Sequence, residues 1–541
     1  MRVHSINLHT QNKFIKDYRD KNDKIMQHFD YNPFESDVFQ KRFEDLKHKN
    51  INRNQLADVL HTINEKWNAP ESTIENIERL RATNSLVVIA GQQAGLLTGP
   101  MYTINKAISV IHLARQQEER LQVPVIPVFW IAGEDHDFDE INHIFLSDTS
   151  KMKKYTLLQR EIEKKAVSNI AIDDVQANKW LDKLFVELNE TLYTKELYDT
   201  LKTFLNESET YVDFFAKLIY WLFNDEGLVL VDSNHSQLRH IESSYFENLI
   251  DNQSKTTHAI NCSYEEIIKQ GYSLSIDVGA RDANLFYQNG SERVLLVRDD
   301  HDNWVGKNNE VNFSTEEILS IARNKPELLS NNVMTRPLMQ EMLFPSLAFI
   351  GGPGEISYWS VLKKAFHANN MKMPPVVPRL SFTFMERHVE KLLNKYHIDS
   401  EHAINKGVLD VKNKWLEDKY SPPVNQLTNQ LKKTIDEAHQ PLRELAGSIQ
   451  SDLGDLANKN LDYLYREVDF LEKRIVKTIE EKYALEINEF NLLQLTLHPN
   501  DGLQERVWNP LTWMNKHGRH FIKQLSDQNC SYEQEHFLVY L

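Results

Sequence analysis

The sequence predicts an α/β protein with a doubly wound core of parallel strands and a separate helical arm. Three short apolar segments typical of strands are each followed by a glycine-rich turn and then by a helical pattern. This order matches the βαβ unit, in which a crossover helix joins two parallel strands. After residue 378 the composition changes, and apolar residues recur at a heptad-like spacing.

The predicted core begins after about 80 polar residues that show helical spacing in Val38–Leu46 and Ile74–Leu80. The first βαβ unit consists of strand Leu86–Ala90, a helix over about 103–117 and strand Val125–Ala132. The later core elements are predicted as the helix Tyr211–Phe223, the strand Leu228–Val231, a helix entered through Asp232–His235, the strand Ser346–Ile350 and a helix to about Asn369.

Two segments interrupt the alternation of strands and helices. The segment near 146–205 is charged and irregular, and the segment near 255–335 contains a predicted hairpin. Its strands are Asn284–Gln288 and Arg293–Arg298, joined through Asn289 and Gly290, a pair that favours tight hairpin turns. We interpret both segments as insertions within a core that spans residues 1–385.

Residues 386–506 are predicted to form an α-helical antiparallel coiled-coil arm. Its second half carries a stripe with alternating steps of three and four: Leu461, Leu464, Val468, Leu471 and Ile475. A first half ends near Ile449, Pro441 is expected to bend it, and a turn is predicted near Gly454–Asn460. The stripe serves either packing within the chain or dimerisation. Residues 507–541 are predicted to pack back on the core.

Composition excludes several classes of protein. The 541 residues include 62 Lys and Arg against 78 Asp and Glu, a net charge of −16, which argues against non-specific binding to nucleic acid or anionic membranes. Two distant cysteines suit a reducing compartment. The N-terminus lacks the apolar region of a signal peptide, and no run of about 18 apolar residues could span a bilayer. We therefore expect a soluble, cytoplasmic protein.

The first glycine-rich turn, Gly91–Gly99, lacks the spacing and the lysine of a phosphate-binding Walker loop. It opens a helix, whose N-terminus favours anions. Gln92, Gln93 and Thr98 are predicted as substrate or anion ligands, and Lys106 would offset developing negative charge. The alternative is a purely structural tight turn.

The second motif, Glu134–Glu140, places five carboxylates and one imidazole directly after an apolar strand. Neighbouring carboxylates raise one another's pKa unless cations, donors or a metal compensate. Asp135, His136 and Asp137 are predicted to hold a substrate amine and accept its proton. The segment could also be a Mg²⁺ site or a solvated loop that caps a helix starting near Asp139. Partners for zinc are not identifiable, so no residue is assigned as a metal ligand.

The third motif, Gly351–Trp359, again puts glycine at a strand end, with Glu355 in the first helical turn. Upstream, Arg336 could bind a carboxylate or phosphate bidentately, or could form an ordinary ion pair. All three motifs are predicted to line one cleft at the carboxyl ends of the core strands.

Together the segments Gly91–Lys106, Pro127–Asn142 and Gly351–Trp359 resemble the bacillithiol biosynthesis cysteine-adding enzyme family, the bacillithiol cysteine ligases. The resemblance extends over essentially the full length. It implies a Rossmann-type core with connecting-peptide insertions, a coiled coil that forms a homodimer, and addition of cysteine to glucosaminyl malate. It also implies an ADP-like nucleotide pocket away from the main cleft, near the coil. The HIGH and KMSKS signatures of adenylate-forming relatives are absent, so ATP-dependent activation is an expectation by analogy.

A nucleotide site is predicted where the arm leaves and rejoins the core. The candidate residues combine hydroxyls, aromatic faces, guanidinium groups and an amide: Arg379, Ser381, Phe382, Thr383, Arg506, Trp508 and Asn509. Trp508 could stack on adenine and Arg506 could bind phosphate. The alternative is that these residues only attach the arm to the core.

The resemblance thus implies a ligase that forms an amide between the cysteine carboxyl and the amino group of glucosaminyl malate, the last step of bacillithiol biosynthesis. ATP or ADP is the expected cofactor, with Mg²⁺ as an associated ion. Arg336 would hold a substrate carboxylate, and Gly352–Glu355 would frame the cleft. Two alternatives stay open: a metal-dependent hydrolase that uses the acidic loop Glu134–Asp139, and a non-catalytic dimeric scaffold.

Overall fold

The computed structural model describes residues 1–9, 12–159, 165–419 and 422–541. Of the predicted insertion near 146–205, residues 160–164 lie outside the described residues, as do 10–11 of the predicted core and 420–421 of the predicted arm. The chain forms two compact units. The first unit comprises Met1–Leu146, Lys153–Phe384 and Gln504–Leu541, and the second comprises Ser147–Met152 and Met385–Leu503.

The strands fall into four sheets. In chain order they are β1 (Arg2–Ile6), β2 (Leu86–Gln92), β3 (Val125–Ile131), β4 (His143–Ser147), β5 (Met152–Thr156), β6 (Val229–Asp232), β7 (Asp282–Asn289), β8 (Glu292–Arg298), β9 (Trp304–Gly306), β10 (Asn312–Phe313), β11 (Leu329–Asn331), β12 (Ser346–Gly351), β13 (Val376–Pro378), β14 (Phe382–Met385) and β15 (His536–Tyr540).

The helices up to the middle of the chain are α1 (Lys13–Arg19), α2 (Asp23–Met26), α3 (Val38–Leu46), α4 (Arg53–Lys66), α5 (Glu71–Arg79), α6 (Met101–Leu121), α7 (Phe138–Ile141), α8 (Asp174–Val186), α9 (Thr194–Asn206), α10 (Tyr211–Leu222), α11 (Ser236–Asp251) and α12 (Gln253–Lys269). The later helices are α13 (Thr315–Asn324), α14 (Arg336–Leu343), α15 (Pro353–Trp359), α16 (Lys363–Ala368), α17 (Arg387–Tyr396), α18 (Ser400–Lys406), α19 (Leu409–Glu417), α20 (Val424–Ile449), α21 (Ser451–Lys482), α22 (Ala484–Leu497), α23 (Pro510–His517) and α24 (His520–Ser526).

A five-stranded parallel sheet forms the centre of the first unit. Its strand order is β13-β12-β2-β3-β6, and each neighbouring pair is parallel. Along the chain, β3 and then β6 are added on one side of β2. The chain then crosses over, and β12 and β13 are added on the other side of β2. This reversal is the topological switch point of a doubly wound fold, so the predicted fold class is confirmed.

The core strands are continuous apolar runs because neighbouring strands and helices bury them on both faces. Helix α6 packs against β2 and β3, α4 against β6, and α3 against β12. Strand β2 extends two residues further than predicted, since Gly91 and Gln92 still pair with Trp130 and Ile131. A Cβ at Gly91 would lie 3.1 Å from the Trp130 carbonyl oxygen, which explains glycine inside the strand.

The other predicted elements of the first unit are found with small shifts. The helix after the third glycine motif is two helices, α15 and α16, because residues 360–362 separate them. The predicted hairpin is β7–β8, and it belongs to a sheet of order β10-β9-β8-β7-β11. A small sheet of order β1-β15-β14 joins the first and last strands of the chain, and the sequence analysis did not predict it.

In the second unit, α20 and α21 form the predicted antiparallel hairpin. Their contacts run in opposite directions, since His439 Nε2 lies 3.0 Å from Asn460 Oδ1 and Lys432 pairs with Asp469 further from the turn. The predicted turn near Gly454–Asn460 is wrong, because the helices meet at Gln450, an extended residue between them.

Gly454 supports close packing between the two helices. A Cβ there would lie 3.1 Å from the Cα atom of Gly447, so the two glycines let the helices approach beside the turn. Pro441 lies inside α20, which continues through it. Within the described residues, no helix is both long enough and apolar enough to cross a membrane.

Candidate active site

One cleft at the carboxyl ends of the parallel strands collects all three motifs, which confirms the prediction of a single cleft. It has a volume of about 340 Å³. Its lining includes residues from the ends of β2, β3 and β12 and from helices α6, α14 and α15: Gly91, Gln92, Gln93, Tyr102, Lys106, Trp130, Ala132, Asp135, Val333, Arg336, Pro337, Gln340, Phe349, Gly352, Pro353, Gly354, Glu355, Tyr358, Arg379 and Arg506. The switch point between β2 and β12 thus holds the cleft, as expected for this class of sheet.

Lys106 ties the two sides of the switch point together. Its ammonium donates to the Gly91 carbonyl oxygen at 2.7 Å and to Gln92 Oε1 at 2.9 Å, and it pairs with Glu355 Oε2 at 2.7 Å. Burial lowers the pKa of Lys106, and the Glu355 carboxylate opposes that shift. Glu355 also accepts from the Gly352 N–H at 2.7 Å at the start of α15. The predicted residues Lys106, Gln92 and Glu355 therefore meet in one hydrogen-bonded group.

Behind the cleft, Glu134 orients Arg336. Arg336 Nε donates to Glu134 Oε1 at 3.1 Å, and Arg239 Nη2 contacts Glu134 Oε2 at 3.2 Å. Arg239 in turn donates to Glu242 Oε2 at 2.8 Å. Glu134, Arg239 and Glu242 are all nearly inaccessible to solvent. Arg336 also lines the cleft, and its Nε is the atom that donates to Glu134.

Two buried acids of this network have unusual pKa values. Burial raises the pKa of Glu242 from its ordinary value of 4.5 to about 7, although Arg239 opposes the shift. Burial also raises the pKa of Asp232 from 3.8 to about 6. Asp232 accepts from Ser168 Oγ at 2.8 Å beside Gly133.

The residues of the acidic motif Glu134–Glu140 lie in different environments. Gln93 Nε2 donates to Asp135 Oδ2 at 2.7 Å and to Glu140 Oε2 at 2.8 Å, so Gln93 and Asp135 meet in the cleft. His136 lies beside Asp135 and packs edge-on against Phe286, while Asp137 is exposed to solvent. The structure therefore brings Asp135 into the cleft with the other motifs, and His136 and Asp137 lie outside its lining.

Arg293 is a site-adjacent residue that sequence reasoning missed. It comes from the hairpin strand β8 and lies 4.0 Å from Asp135 Oδ1, stacked over the Phe286 ring at 3.8 Å. Its other donors bind Ser330 Oγ and the Asn331 carbonyl oxygen. Burial lowers the pKa of Arg293 to about 10. The sequence offered one indication of this role, because Arg293 is a charged residue in a predicted strand that is otherwise largely apolar.

The first glycine motif ends in an unusual left-handed turn. Leu97, Thr98 and Gly99 all have positive φ (48°, 72° and 72°), and two of them carry side chains that disfavour this conformation. Asn509 holds the turn by donating to the carbonyl oxygens of Leu97 at 3.0 Å and Gly99 at 2.7 Å. Backbone strain of this kind persists only when the surrounding structure imposes it.

Two further arginines, Arg379 and Arg506, also line the cleft. Arg379 forms a two-point ion pair with buried Glu505, at 2.7 and 2.5 Å, and Asn105 Nδ2 also donates to Glu505 at 2.6 Å. Arg506 is exposed, and within the described chain it has no ion-pair partner. The sequence analysis did not predict the contact between Glu505 and Asn105, because no local pattern identifies the partner of a buried carboxylate.

The remaining predicted nucleotide contacts are buried in packing. Ser381 and Thr383 each hydrogen-bond a ring nitrogen of His536 at 2.7 Å, and burial lowers the pKa of His536 to about 4. Phe382 is fully buried against Phe537, and Trp508 packs its ring against Trp513 with centroids 5.4 Å apart. These four side chains do not line the cleft, and their predicted contacts with a nucleotide stay a prediction.

A second, smaller cavity adjoins the cleft. Its volume is about 200 Å³, and it shares Gln92, Gln93, Tyr102 and Arg506 with the cleft. The rest of its lining is Gly95, Thr98, Gly99, Pro100, Thr103, Glu140, Ile141, His143, Ile144, Phe145, Val507 and Asn509. The predicted ligand Thr98 therefore lies in this adjoining cavity.

Two further cleft residues, Trp130 and Tyr358, were not predicted. Trp130 lines the cleft, and its buried indole N–H has no hydrogen-bond partner among the residues that the structure describes. Burial raises the pKa of Tyr358 well above its ordinary range, and that of Tyr102 also rises through burial. Among the described residues, no group of three or more His, Cys, Asp or Glu side chains is placed to hold a metal ion.

Comparison with known proteins identifies the family of the chain. Residues 1–380 match the N-terminal Rossmann-like domain of bacillithiol biosynthesis BshC, and residues 382–541 match its C-terminal coiled-coil domain. Similar proteins with the printed name "Putative cysteine ligase BshC" occur in Oceanobacillus iheyensis (41% identical, all of both chains), Bacillus licheniformis (39%, all of both chains) and Bacillus cytotoxicus (39%, 97% of this chain and 98% of the relative). The chain belongs to the bacillithiol biosynthesis BshC family.

Proposed function

We propose that this member of the BshC family is a cytoplasmic cysteine ligase that joins the carboxyl of cysteine to the amino group of glucosaminyl malate, the last step of bacillithiol biosynthesis. One observation carries the proposal: the three motifs converge on a cleft at the switch point whose lining is rich in guanidinium and ammonium groups. Four cations line it, Lys106, Arg336, Arg379 and Arg506, against the carboxylates of Asp135 and Glu355. Such a cleft suits substrates that carry several carboxylates.

Amide formation from a carboxylate requires activation. We propose that ATP supplies it, either by forming a cysteinyl adenylate with release of pyrophosphate or a cysteinyl phosphate with release of ADP. The amine then attacks the activated carbonyl carbon, loses a proton, and expels AMP or phosphate. Positioning both reactants in one cleft would provide much of the rate acceleration.

The residues of the cleft have distinct roles in this reaction. Asp135, held by Gln93 and near Arg293, would orient the amine and accept its proton. Arg336, oriented by Glu134, binds a malate carboxylate through its terminal amino groups. Lys106 fixes the strand ends and adds positive charge beside the reacting groups.

The nucleotide is proposed to lie near Arg379 and Arg506, whose guanidinium groups could bind its phosphates. The described residues suit Mg²⁺ that arrives with the nucleotide, because Mg²⁺ commonly takes one or two carboxylates and completes its ligands with phosphates and water. The ion would neutralise phosphate charge.

The coiled-coil unit is proposed to form a homodimer. Large apolar side chains along α20 and α21 are exposed in the single chain, including Leu442, Leu456, Leu464 and Leu471. A stripe of this kind on a helical hairpin is typical of a coiled-coil interface.

The ligase proposal is tested with purified protein, L-cysteine, glucosaminyl malate, ATP and Mg²⁺. Thiol labelling and mass spectrometry should detect bacillithiol, and omission of ATP should abolish it. Glucosaminyl malate should accumulate in a deletion strain and disappear on complementation. Normal bacillithiol levels in the deletion strain would contradict the proposal.

A further inference from the structure

We infer that the adjoining cavity is the binding site for the α-amino acid substrate, and that the main cleft receives the amino sugar. The inference rests on the proposed function for the identity of the amino acid, cysteine. It follows from the size, the charge and the apolar lining of the cavity, and from its connection to the cleft.

Size limits the ligand. The cavity holds about 200 Å³, against about 340 Å³ in the cleft. Pockets for drug-sized ligands typically occupy about 300–1,000 Å³. The adjoining cavity is therefore suited to a small metabolite, and the cleft to a larger one.

The charged residues that line the adjoining cavity suit a zwitterionic ligand. The lining contains one carboxylate, Glu140, and one guanidinium, Arg506. In the described chain neither forms an ion pair, and they do not pair with each other; Glu140 accepts one hydrogen bond from Gln93. The cavity lining also includes His143, and burial lowers the pKa of its imidazole. One anionic and one cationic group in the lining of a single small cavity complement the ammonium and carboxylate of an amino acid.

The rest of the lining suits a short, weakly polar side chain. Ile141, Ile144 and Val507 are buried apolar residues of the cavity wall. At the left-handed turn, Thr98 adds a buried hydroxyl that has no hydrogen-bond partner in the described part of the chain. A thiol behaves as a small apolar group and a weak hydrogen-bonding group, so it matches both features.

The shared residues orient the amino acid. Arg506 lines both cavities, whereas Glu140 lines only the adjoining one. A carboxylate on Arg506 therefore lies at the opening between the cavities, where an amine in the cleft can reach it, and the ammonium on Glu140 points away. The same position allows Arg506 to contact the activating phosphate, because activation joins phosphate to this carboxylate.

The test measures binding of three ligands by isothermal titration calorimetry under reducing conditions: L-cysteine, cysteamine, which lacks the carboxylate, and 3-mercaptopropionate, which lacks the amine. We expect Glu140→Gln to weaken L-cysteine and cysteamine at least about tenfold, with 3-mercaptopropionate unchanged. Arg506→Gln should weaken L-cysteine and 3-mercaptopropionate to the same extent, with cysteamine unchanged.

Controls use exposed charges at the end of the β4–β5 ribbon, Asp148→Asn and Lys151→Gln, which should leave all three affinities at wild-type values. Wild-type L-cysteine affinity in both test variants would overturn the inference. So would equal loss of all three ligands at an unchanged melting temperature, or failure of the wild-type chain to bind L-cysteine at millimolar concentration.

The two proposals fail separately. Binding requires neither amino sugar nor nucleotide, so the expected pattern without bacillithiol formation would support the site and contradict the ligase. Bacillithiol formation with an unchanged KM for cysteine in both test variants would support the ligase and overturn the site.

Discussion

At the scale of single residues, three of the four cations that line the cleft are held by carboxylates. Arg336 is fixed by Glu134, Arg379 by Glu505 and Lys106 by Glu355. Removing one member of a buried pair costs about 3–5 kcal/mol, because an uncompensated charge is left behind. These pairs therefore position the cleft's cations before a ligand arrives.

The Glu134–Arg336 pair yields a prediction about substrate binding. Glu134→Gln should lower the melting temperature and raise the KM for glucosaminyl malate about tenfold or more, because Arg336 is no longer oriented. Glu341→Gln is the matched control, since Glu341 is buried and pairs with Arg42 at 2.7 Å. Steady-state kinetics should show a changed KM only in the first variant; equal KM changes would indicate a merely structural role.

Thr98 offers a test in which stability and binding respond differently. Its buried hydroxyl has no partner, so Thr98→Val removes an unsatisfied polar group and should leave the melting temperature unchanged or slightly higher. Cysteine affinity should fall severalfold, because the hydroxyl is lost from the adjoining cavity. Calorimetry with L-cysteine and thermal melting measure both quantities. A lower melting temperature with unchanged affinity would contradict the prediction.

The raised pKa of Glu242 predicts that the stability of the fold depends on pH. Its pKa is about 7 in the folded chain and 4.5 ordinarily, so the folded state binds more protons between these values. The free energy of unfolding should therefore fall as pH rises from about 4.5 to about 7, with the full loss present above pH 7. Glu242→Gln should lose less stability over this window than wild type. Melting temperatures at pH 5 and pH 7.5 measure it, and parallel curves would contradict the assignment.

At the scale of elements, the strand ends are shaped by glycines that permit close backbone approach. A Cβ at Gly95 would lie 2.9 Å from the Cα atom of Gly99, across the left-handed turn. Since Gly99 is backbone and cannot rotate away, the first motif needs glycine at position 95.

Gly95→Ala should therefore destabilise the turn that connects β2 to α6. We expect a lower melting temperature and weaker binding of cysteine, because the clash with Gly99 forces a backbone shift that costs about 1–3 kcal/mol. Gly354→Ala provides the control, because an added Cβ there has open space and helical backbone. Thermal melting of both variants checks the prediction. Equal melting temperatures would show that the turn can relax.

At the scale of the whole molecule, the exposed apolar stripe of the coiled-coil unit predicts assembly. Leu464→Glu with Leu471→Glu should convert a homodimer to a monomer, because charges would enter the proposed interface. Lys459→Glu with Lys473→Glu changes exposed charges of the same helix and should leave the dimer intact. Light scattering after size-exclusion chromatography gives the mass; a monomeric wild-type chain would refute the homodimer.

The sequence by itself determined the doubly wound core, because strands buried on both faces must be continuous apolar runs. It also predicted the cleft, since glycine motifs at the ends of parallel strands meet at one edge of the sheet. The helical hairpin followed from a heptad stripe, but its turn did not. Gly454 resembled a turn residue, although it serves close packing against Gly447.

Only the tertiary structure decided which charges meet. Glu134 pairs with Arg239 and Arg336, 105 and 202 positions away, and Arg379 pairs with Glu505 across 126 positions. The first and last strands also pair, with Arg2 opposite Tyr540. Periodicity records which face of an element is buried, and that is a local property. The partner of a buried charge depends on where the whole chain places another element, so no local pattern specifies it.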